Sequence, residues 1–383
     1  MSAAVKDRWN PGDVQLLAVV VGIAVLGAIM VGSTSVSLAA REYGDPLHIF
    51  TRHIAALGIG CLGLLAAAAI PMRFWFRMNG LLLVGGITLL VLVLVPGFGL
   101  SANGSMRWLV LGPVQLQPSE PARLALLMYL SAYAVRHSEA LATTFSSFLK
   151  PLLFVAVFGL LLIVEPDFGA LVVMAVTSLG ILFVAGSRLR DFFAATACAG
   201  GILAALTVTS SYRWQRIVSY LDPFADPFDT GFQLVNSLIA IGRGDWFGVG
   251  LGESVQKLFY LPEAHTDFVF AVLAEELGFV GSTLTVLLFA WFVYRAIVIG
   301  QRALEAGLPF QGLVAIGIGL MIGVESFINV GVNIGLLPTK GLALPLMSYG
   351  RSSAIITLIA VGLLLRVARE TREAVSSARR GRR

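Results

Sequence analysis

The sequence predicts an all-α fold: a polytopic integral membrane protein with about ten transmembrane helices. The 383 residues are 57% hydrophobic and only 13% charged, with a mean hydropathy of +0.86, a composition that a water-soluble globule could not hide from solvent. Nearly charge-free runs recur at a length of about 20 residues, which lets an α-helix cross ~30 Å of hydrocarbon. Because the alternating pattern of a membrane β-barrel is absent, only helices can satisfy the backbone hydrogen bonds in lipid.

The apolar runs divide the chain into ten predicted spans. The first run is too long for the core of a signal peptide, and no small-residue cleavage site follows it, so we interpret it as an uncleaved span. Cys61 and Cys198 fall inside spans, which argues against a disulfide framework. In chain order, the predicted spans cover residues 15–34, 53–71, 79–95, 120–135, 152–165, 169–185, 192–209, 267–298, 311–330 and 353–367.

Basic residues indicate the orientation. With a cytoplasmic N-terminus, every short connection on the cytoplasmic side carries a basic pair, as the positive-inside rule describes. Most of the 22 acidic residues then fall on the other side, and both termini are expected in the cytoplasm. Besides the seven arginines after residue 365, the basic residues assigned to this side are Lys6, Arg8, Arg73, Arg77, Arg136, Lys150, Arg188, Arg190, Arg295 and Arg302.

No linker or internal repeat divides the chain, so we predict one membrane domain over residues 15–367. A cytoplasmic N-terminal tail of residues 1–14 and a basic cytoplasmic C-terminal tail of residues 368–383 flank it. The residues from Arg366 onward indicate a flexible segment near anionic lipid or a partner. This segment accounts for much of the net charge of +5, so that charge does not indicate a nucleic-acid-binding protein.

Four segments on the predicted outer face share Gly, Pro, charged and hydroxyl residues. The largest, residues 211–266, is the extracytoplasmic loop between the seventh and eighth spans, and its amphipathic patch at residues 232–241 is expected along the membrane surface. Turn chemistry and interfacial anchoring would explain any one segment. Four on one face favour a shared site. The other three cover residues 101–119, 165–169 and 333–353.

Ionisable residues inside the predicted spans indicate buried pairs or a wet cavity, since a charge at membrane depth costs roughly 2.5–3.5 kcal/mol on insertion scales. Glu120 and Arg123 stand one helical turn apart, so a local ion pair and a functional role for Glu120 are equal alternatives. Glu275 and Glu276 fall on different helix faces, and we expect only one of them at the site. Glu325 lies in the ninth span.

Five motifs stand at the outer ends of the spans. They are Asn103-Gly104 with Arg107-Trp108, QPSE at residues 117–120, EPDFG at 165–169, KLFYLPEAHTD at 257–267, and GLLPTKG at 335–341 with SYG at 348–350. Together they resemble the SEDS family of bacterial cell-wall proteins over nearly the whole chain, excluding the tails. The PTKG form and LDPFADP at residues 221–227 resemble the cell-division branch of that family more than its elongation branch.

The resemblance implies a peptidoglycan glycosyltransferase that polymerises lipid II at the outer face of the bacterial cytoplasmic (inner) membrane. It implies work at the division septum beside a class B penicillin-binding transpeptidase and other divisome membrane proteins. A glycan 4-hydroxyl attacks an anomeric carbon that carries a lipid-linked pyrophosphate, so the site needs a base and positive charge. Asp267 matches the family's carboxylate, although its position alone favours a helix cap. Glu263 and Glu120 are the next candidates for the base.

The other candidate residues would bind substrate. Five of them are cations that would bind the pyrophosphate, and three are polar residues that would contact the substrate. A groove open to lipid is expected for the polyprenyl tail. A divalent cation, Mg²⁺ or Mn²⁺, could bridge phosphate and carboxylate, although no metal motif demands one. The cationic candidates are Lys340, Arg243, Lys257, Arg216 and Arg107, and the polar ones are Glu120, Ser348 and Ser352.

One position departs from the family's pattern, because Arg351 stands where members usually have glycine. Arg351 would be strained if that position has positive φ, or it would fill the site if the substrate approaches the backbone there. Alternatively, Arg351 would add a phosphate ligand, so the roles of Ser352 and Ser353 stay open. Two other function classes also stay open. A lipid II flippase would favour charged relays near the midplane, and a non-catalytic divisome scaffold would not need Asp267. The outer-face motifs favour the polymerase.

Overall fold

The computed structural model describes residues 11–102, 105–111 and 114–380. Lys6, Arg8 and the Asn103-Gly104 motif therefore lie outside the described residues. The helices are α1 (Pro11–Tyr43), α2 (His48–Ala69), α3 (Met72–Leu94), α4 (Ser119–Arg136), α5 (Ser138–Thr143), α6 (Phe145–Val164), α7 (Phe168–Val184), α8 (Leu189–Val208), α9 (Ser211–Leu221), α10 (Phe232–Gly244), α11 (Val269–Glu305), α12 (Pro309–Asn333) and α13 (Arg351–Arg380).

Ten of these helices correspond to the ten predicted spans. Over the described ranges, eight are long and apolar enough to cross a membrane, namely α1, α2, α3, α6, α8, α11, α12 and α13. Helix α7 is apolar but has only 17 residues. Helix α4 has 18 residues, and most of its side chains are buried inside the bundle, including two charged ones. The all-α polytopic fold class is confirmed.

The C-terminal segment is helical rather than flexible. Helix α13 continues without a break from Arg351 to Arg380, so the expected flexible tail is wrong over residues 368–380. Two ion pairs at i,i+4 spacing support the extension, Arg366 with Glu370 at 2.8 Å and Arg369 with Glu373 at 2.9 Å. Such pairs stabilise a helix after its apolar stretch has ended.

Two of the segments assigned to the outer face contain regular structure that the sequence did not predict. The described residues 99–116 form a three-stranded antiparallel sheet, in which β2 (Ser105–Leu111) pairs with β1 (Gly99–Ala102) and β3 (Val114–Leu116). In the long loop, α9 and α10 are helices. Helix α10 buries Leu234 and Val235 and packs on α11 and α12. The amphipathic pattern of residues 232–241 is thus accounted for by packing on protein, and a position along the membrane surface stays a prediction.

Helix α11 is broken at Gly278, where φ is 67° and ψ is −164°. Glycine suits this position because its backbone is left-handed and because a Cβ would meet the backbone of residues 246–248. The facing loop replaces the lost helical hydrogen bonds, since the amide of Phe279 donates to Asp245 O at 2.8 Å and the amide of Val249 donates to Glu275 O at 2.9 Å. The long loop between α8 and α11 is thereby fixed to a membrane helix.

Candidate active site

Four of the predicted site residues meet at the end of the bundle where α11 and α13 begin. Asp267 lies two residues before the start of α11, Lys340 lies between α12 and α13, Arg107 is on β2 and Arg216 is on α9. The charges of Arg107 and Arg216 act on Asp267, and the same two charges act on Lys340. The fold therefore brings one carboxylate and three cations from distant parts of the chain into one site.

Asp267 is not a helix cap. The N-cap residue of α11 is Phe268, which makes no side-chain capping bond, so the structural role that position alone favoured is wrong. The backbone of Asp267 is nevertheless fixed, because its carbonyl accepts from Asn329 Nδ2 at 2.9 Å and from Asn333 Nδ2 at 3.0 Å. Among the described hydrogen bonds and ion pairs, none ends on the Asp267 carboxylate, so it is available to a ligand.

The Asp267 carboxyl lies before the start of the membrane span at Val269, and its surroundings disfavour ionisation. Burial raises its pKa from 3.8 to about 7, with a further contribution from Glu263, while Arg107 and Arg216 partly oppose the shift. Burial dominates because the charged form loses hydration. A pKa near neutrality suits a general base, since the group is both ionised and basic at working pH.

Lys340 lies over an aromatic ring in a strongly positive region. Its Nζ is 4.5 Å from the centroid of Phe168, and the guanidinium of Arg213 lies 5.3 Å from the same centroid. Burial, together with the positive charges of Arg216, Arg213 and Arg107, lowers the pKa of Lys340 from 10.5 to about 8. Like charges held this close favour an anionic ligand, which would offset their repulsion.

The turn between α6 and α7 is fixed by Asp167. One Asp167 oxygen caps α7 by accepting from the amide of Ala170 at 3.2 Å. The other accepts from Gln117 Nε2 and Ser119 Oγ, both at 3.2 Å. The QPSE and EPDFG motifs are therefore in direct contact, although about fifty residues separate them. This contact holds the start of α7, and with it Phe168, beneath Lys340.

Glu165 is a buried carboxyl of the same turn that sequence reasoning did not single out. It is 1% exposed, and its Oε1 has no hydrogen-bond partner within the described chain. Burial raises its pKa to about 8, with a further contribution from Asp167 and an opposing one from Arg107. Arg107 also donates a hydrogen bond to the carbonyl of Pro166. The site therefore contains a second carboxyl whose surroundings favour its protonated form.

Two asparagines near the end of α12 join the segments that carry Asp267 and Lys340. Asn329 Nδ2 donates to the carbonyl of Leu342 as well as to that of Asp267. Asn333 Oδ1 accepts from the amide of Ala271 at 3.0 Å. Sequence reasoning missed both residues. The available signal was a pair of amides four positions apart on one face of an apolar span, where a buried polar group needs partners.

Comparison with known proteins gives the family. The cell cycle protein family FtsW/RodA/SpoVE matches residues 14–373. The chain belongs to this family. A relative named "Probable peptidoglycan glycosyltransferase FtsW" from Nitrosococcus halophilus is 51% identical over 369 residues, 96% of this chain and 95% of that protein. Another of the same name from Halorhodospira halophila is 50% identical and covers 99% of this chain and 98% of that protein.

A solved structure supports the same family. A chain from a peptidoglycan synthase complex, described for its coordination of polymerization and crosslinking, is 31% identical with a TM-score of 0.76, covering 95% of this chain and 99% of that chain. The resemblance to the SEDS family and to its division branch, FtsW, is thus confirmed. With its spans and these relatives, the chain is a multi-pass inner-membrane protein.

Two predicted cations of this FtsW/RodA/SpoVE family member lie outside the cluster formed by Asp267, Lys340, Arg107 and Arg216, which we call the Asp267 cluster. Arg243 pairs with Glu275 at 3.3 Å and Lys257 pairs with Glu276 at 2.7 Å. Both glutamate side chains are 0% exposed, and neither Arg243 nor Lys257 is among the charges that act on Asp267. The expectation that one of Glu275 and Glu276 faces the site is not met, because each buried carboxylate takes a nearby cation that compensates its charge.

Glu120 is part of a buried ion-pair triad. Arg123 Nη2 lies 2.5 Å from Glu120 and 3.2 Å from Glu325. Of the two alternatives left open by the sequence, the local pair is present, and Glu325 extends it. Because these groups are buried in the bundle, each charge depends on the others for compensation.

The serine candidates hold the backbone near the site. Ser348 Oγ accepts from the amide of Leu344 at 2.9 Å, and Ser352 Oγ accepts from the amide of Gln117 at 2.9 Å. Arg351 begins α13, is not among the described non-glycine residues with positive φ, and donates to Gln115 Oε1. The strain alternative for Arg351 is therefore wrong, and its guanidinium instead helps to fix β3.

Proposed function

We propose that the chain polymerises lipid II into septal glycan strands at the outer face of the inner membrane, as a peptidoglycan glycosyltransferase. The observation that carries the proposal is the cluster in which the Asp267 carboxylate, which accepts no hydrogen bond from the described residues, lies beside the charges of Arg107 and Arg216. The same two charges act on Lys340. Relatives of about 50% identity named peptidoglycan glycosyltransferase support it.

The chemistry needs one proton acceptor and a site for negative charge. The 4-hydroxyl of the acceptor sugar attacks the anomeric carbon of the donor, a glycosidic bond forms, and the bond to the lipid pyrophosphate breaks. The hydroxyl proton passes to the Asp267 carboxylate, which also stabilises oxocarbenium character in the transition state. Arg107, Arg216 and Lys340 stabilise the charge that develops on the departing pyrophosphate.

A divalent cation, Mg²⁺ or Mn²⁺, fits only in part. Within the described residues, no three His, Cys, Asp or Glu side chains are placed to hold a metal ion by themselves. Mg²⁺ is usually bound by one or two carboxylates and completes its shell with water and phosphate. Asp267 would therefore hold such an ion only together with the substrate's pyrophosphate, where the ion would neutralise phosphate charge.

The proposal includes orientation and partners. Asp267 and Lys340 face the outside, both termini are cytoplasmic, and the chain works at the septum with a class B penicillin-binding transpeptidase and other divisome membrane proteins. The similarity to a chain of a peptidoglycan synthase complex supports such a partner.

Cysteines placed beside Asp267 and Lys340, in a background without Cys61 and Cys198, should react with a membrane-impermeant thiol reagent. Protection at both positions would reverse the orientation.

Reconstitution with lipid II separates the candidate functions. The purified chain, alone and with its transpeptidase partner, should make glycan strands, and Asp267→Asn should make none. Asp222→Asn, an exposed carboxylate in the same outer region, is the matched control and should retain activity. Translocated lipid without polymer would indicate a flippase. Neither product, from folded protein with its partner, would indicate a scaffold.

A further inference from the structure

A basic cleft of about 730 Å³ lies between the end of α11 and the last turns of α13. Its charged and hydroxyl lining includes Arg302, Glu305, Thr371, Arg372, Arg379 and Arg380. We call this the basic cleft. Its volume is within the range of about 300–1,000 Å³ that small-ligand sites occupy.

The basic cleft is at the opposite membrane face from Asp267. Helix α13 starts beside the outer site, where Ser352 bonds to Gln117. It ends beside the start of α1, where Arg372 pairs with Asp13. Its 30 residues span about 45 Å at 1.5 Å per residue, which exceeds the ~30 Å of hydrocarbon. The last turns of α13 therefore lie at the level of the lipid headgroups.

The charge of the basic cleft is largely uncompensated. Four arginines and one glutamate line it, and Arg372 is occupied by its ion pair with Asp13. Within the described residues, Arg302, Arg379 and Arg380 form no ion pair, and all three side chains are exposed. Exposed arginines without acidic partners converge here from two different helices, which favours an anionic ligand.

We propose that the basic cleft binds the headgroup of an anionic phospholipid. Guanidinium groups match the geometry of phosphate oxygens, and the cleft walls are the ends of two membrane-spanning helices, at the depth of the headgroups. Basic pockets between transmembrane helices on the cytoplasmic side bind such headgroups. Val375, which is also part of the lining, offers an apolar contact for the glycerol and first acyl carbons.

The position favours a lipid over a soluble acidic segment. Lipid headgroups are present at this depth at high local concentration, whereas an acidic peptide would have to enter between two helix ends at the membrane surface. The basic cleft is also remote from Asp267, so its occupancy is separable from the outer chemistry. This separation makes binding measurable without substrate.

The test is a titration of the full-length chain in detergent with phosphatidylglycerol, and separately with phosphatidylcholine, read by native mass spectrometry. We expect the wild type to bind phosphatidylglycerol at least about tenfold more tightly. Arg302→Gln with Arg379→Gln should abolish that preference. The matched control, Arg73→Gln with Arg77→Gln, removes two exposed arginines assigned to the same face but outside the cleft, and should keep the preference.

Other outcomes decide against the proposal. Equal loss in both double variants would show diffuse surface attraction rather than a site, and no loss in either would overturn the site outright. Displacement of phosphatidylglycerol by millimolar inorganic phosphate would show that a free anion suffices and that the lipid is not required. Val375→Asp, which adds a negative charge to the lining without removing an arginine, should also weaken binding, and retained tight binding would contradict the proposal.

Discussion

Gly341 lies directly against the carboxylate of Asp267: a Cβ built on Gly341 would stand 2.8 Å from Asp267 Oδ2. The φ of Gly341 is not in the left-handed region, so the backbone would accept alanine, and only the carboxylate excludes it. Gly341→Ala should displace the carboxylate or the Lys340 loop and lower the rate of lipid II polymerisation by about tenfold to a hundredfold.

The control for Gly341→Ala is Gly80→Ala, because a Cβ at Gly80 meets no atom within 4 Å. This variant should polymerise lipid II at the wild-type rate. Both variants should stay folded. Gly80→Ala should be slightly more stable than wild type, because Gly80 is inside helix α3 and glycine in a helix costs roughly 0.5–1 kcal/mol relative to alanine. Gly341→Ala should melt at or below the wild-type temperature because of the close contact with Asp267. Wild-type activity in Gly341→Ala would show that the carboxylate position is not critical.

The spans were predictable because lipid leaves a buried backbone no alternative to helix. Their irregularities were not. Gly278 lies in an apolar run like many other glycines, so the sequence does not mark it as a break. The break is stable because the backbone of residues 245–250 forms the hydrogen bonds that the interrupted helix cannot form. The amphipathic pattern of residues 232–241 has the period of a helix. That period does not show whether the apolar face of the helix contacts lipid or another helix such as α11.

The sequence identified candidate residues for the site but not the side chains that each of them contacts. Arg243, Lys257 and Lys340 were equivalent candidates in the sequence, since each is a cation in a segment assigned to the outer face. The fold places a buried glutamate beside each of the first two and the Phe168 ring beside the third. Partners of this kind are set by tertiary packing, which composition and spacing do not encode.

Asp267→Asn should abolish polymerisation and raise thermal stability at neutral pH. The pKa of Asp267 in the folded chain is raised from 3.8 to about 7, so the folded chain holds this proton more tightly than the unfolded chain. Stability contributed by the protonated group is thus lost as pH rises from about 4 through 7. The melting temperature of Asp267→Asn relative to wild type should increase over this window and stay constant above it.

The stability measurement also tests the absence of a cap. If the only structural role of Asp267 were to cap α11, asparagine would preserve the cap, and the melting temperature of Asp267→Asn would equal that of wild type at every pH. Polymerisation by Asp267→Asn at the wild-type rate would remove Asp267 from the chemistry. A pH-independent difference in melting temperature would show that its pKa is not raised.

The pH dependence of polymerisation should be bell-shaped. The rate should rise as Asp267 ionises, with a pKa of about 7, and fall as Lys340 loses its proton, with a pKa of about 8. Lys340→Arg keeps a cation that does not deprotonate in this range, so its falling limb should move to higher pH. A falling limb that stays unchanged would assign it to another group, with Glu165 the next candidate.

Asn333→Ala should lower polymerisation and stability together. The substitution leaves the buried amide of Ala271 and one bond to the Asp267 carbonyl unsatisfied, at a cost of about 1–3 kcal/mol. The control is Asn236→Ala. Within the described residues, the Asn236 side chain has one hydrogen bond, to Phe232 O in the same helix α10, so its loss should reduce stability without a specific loss of rate. Equal activity of the two variants, compared below both melting temperatures, would show that Asn333 does not position Asp267.

Lys257→Met should act on stability, because the structure gives this cation to Glu276 and not to the site. The ammonium lies 2.7 Å from a glutamate side chain that is 0% exposed, so its removal leaves a buried charge uncompensated at a cost of about 3–5 kcal/mol. Adding Glu276→Gln removes that charge, while the glutamine can still accept from Ser33, as Glu276 does at 2.6 Å. The double variant should therefore recover most of the lost stability and retain polymerisation.

Arg369→Gln breaks the exposed pair with Glu373 and serves as the control, with an expected cost below about 1 kcal/mol. If Lys257→Met instead keeps its melting temperature but loses polymerisation, and Glu276→Gln does not restore it, Lys257 belongs to the substrate site and not to a structural ion pair.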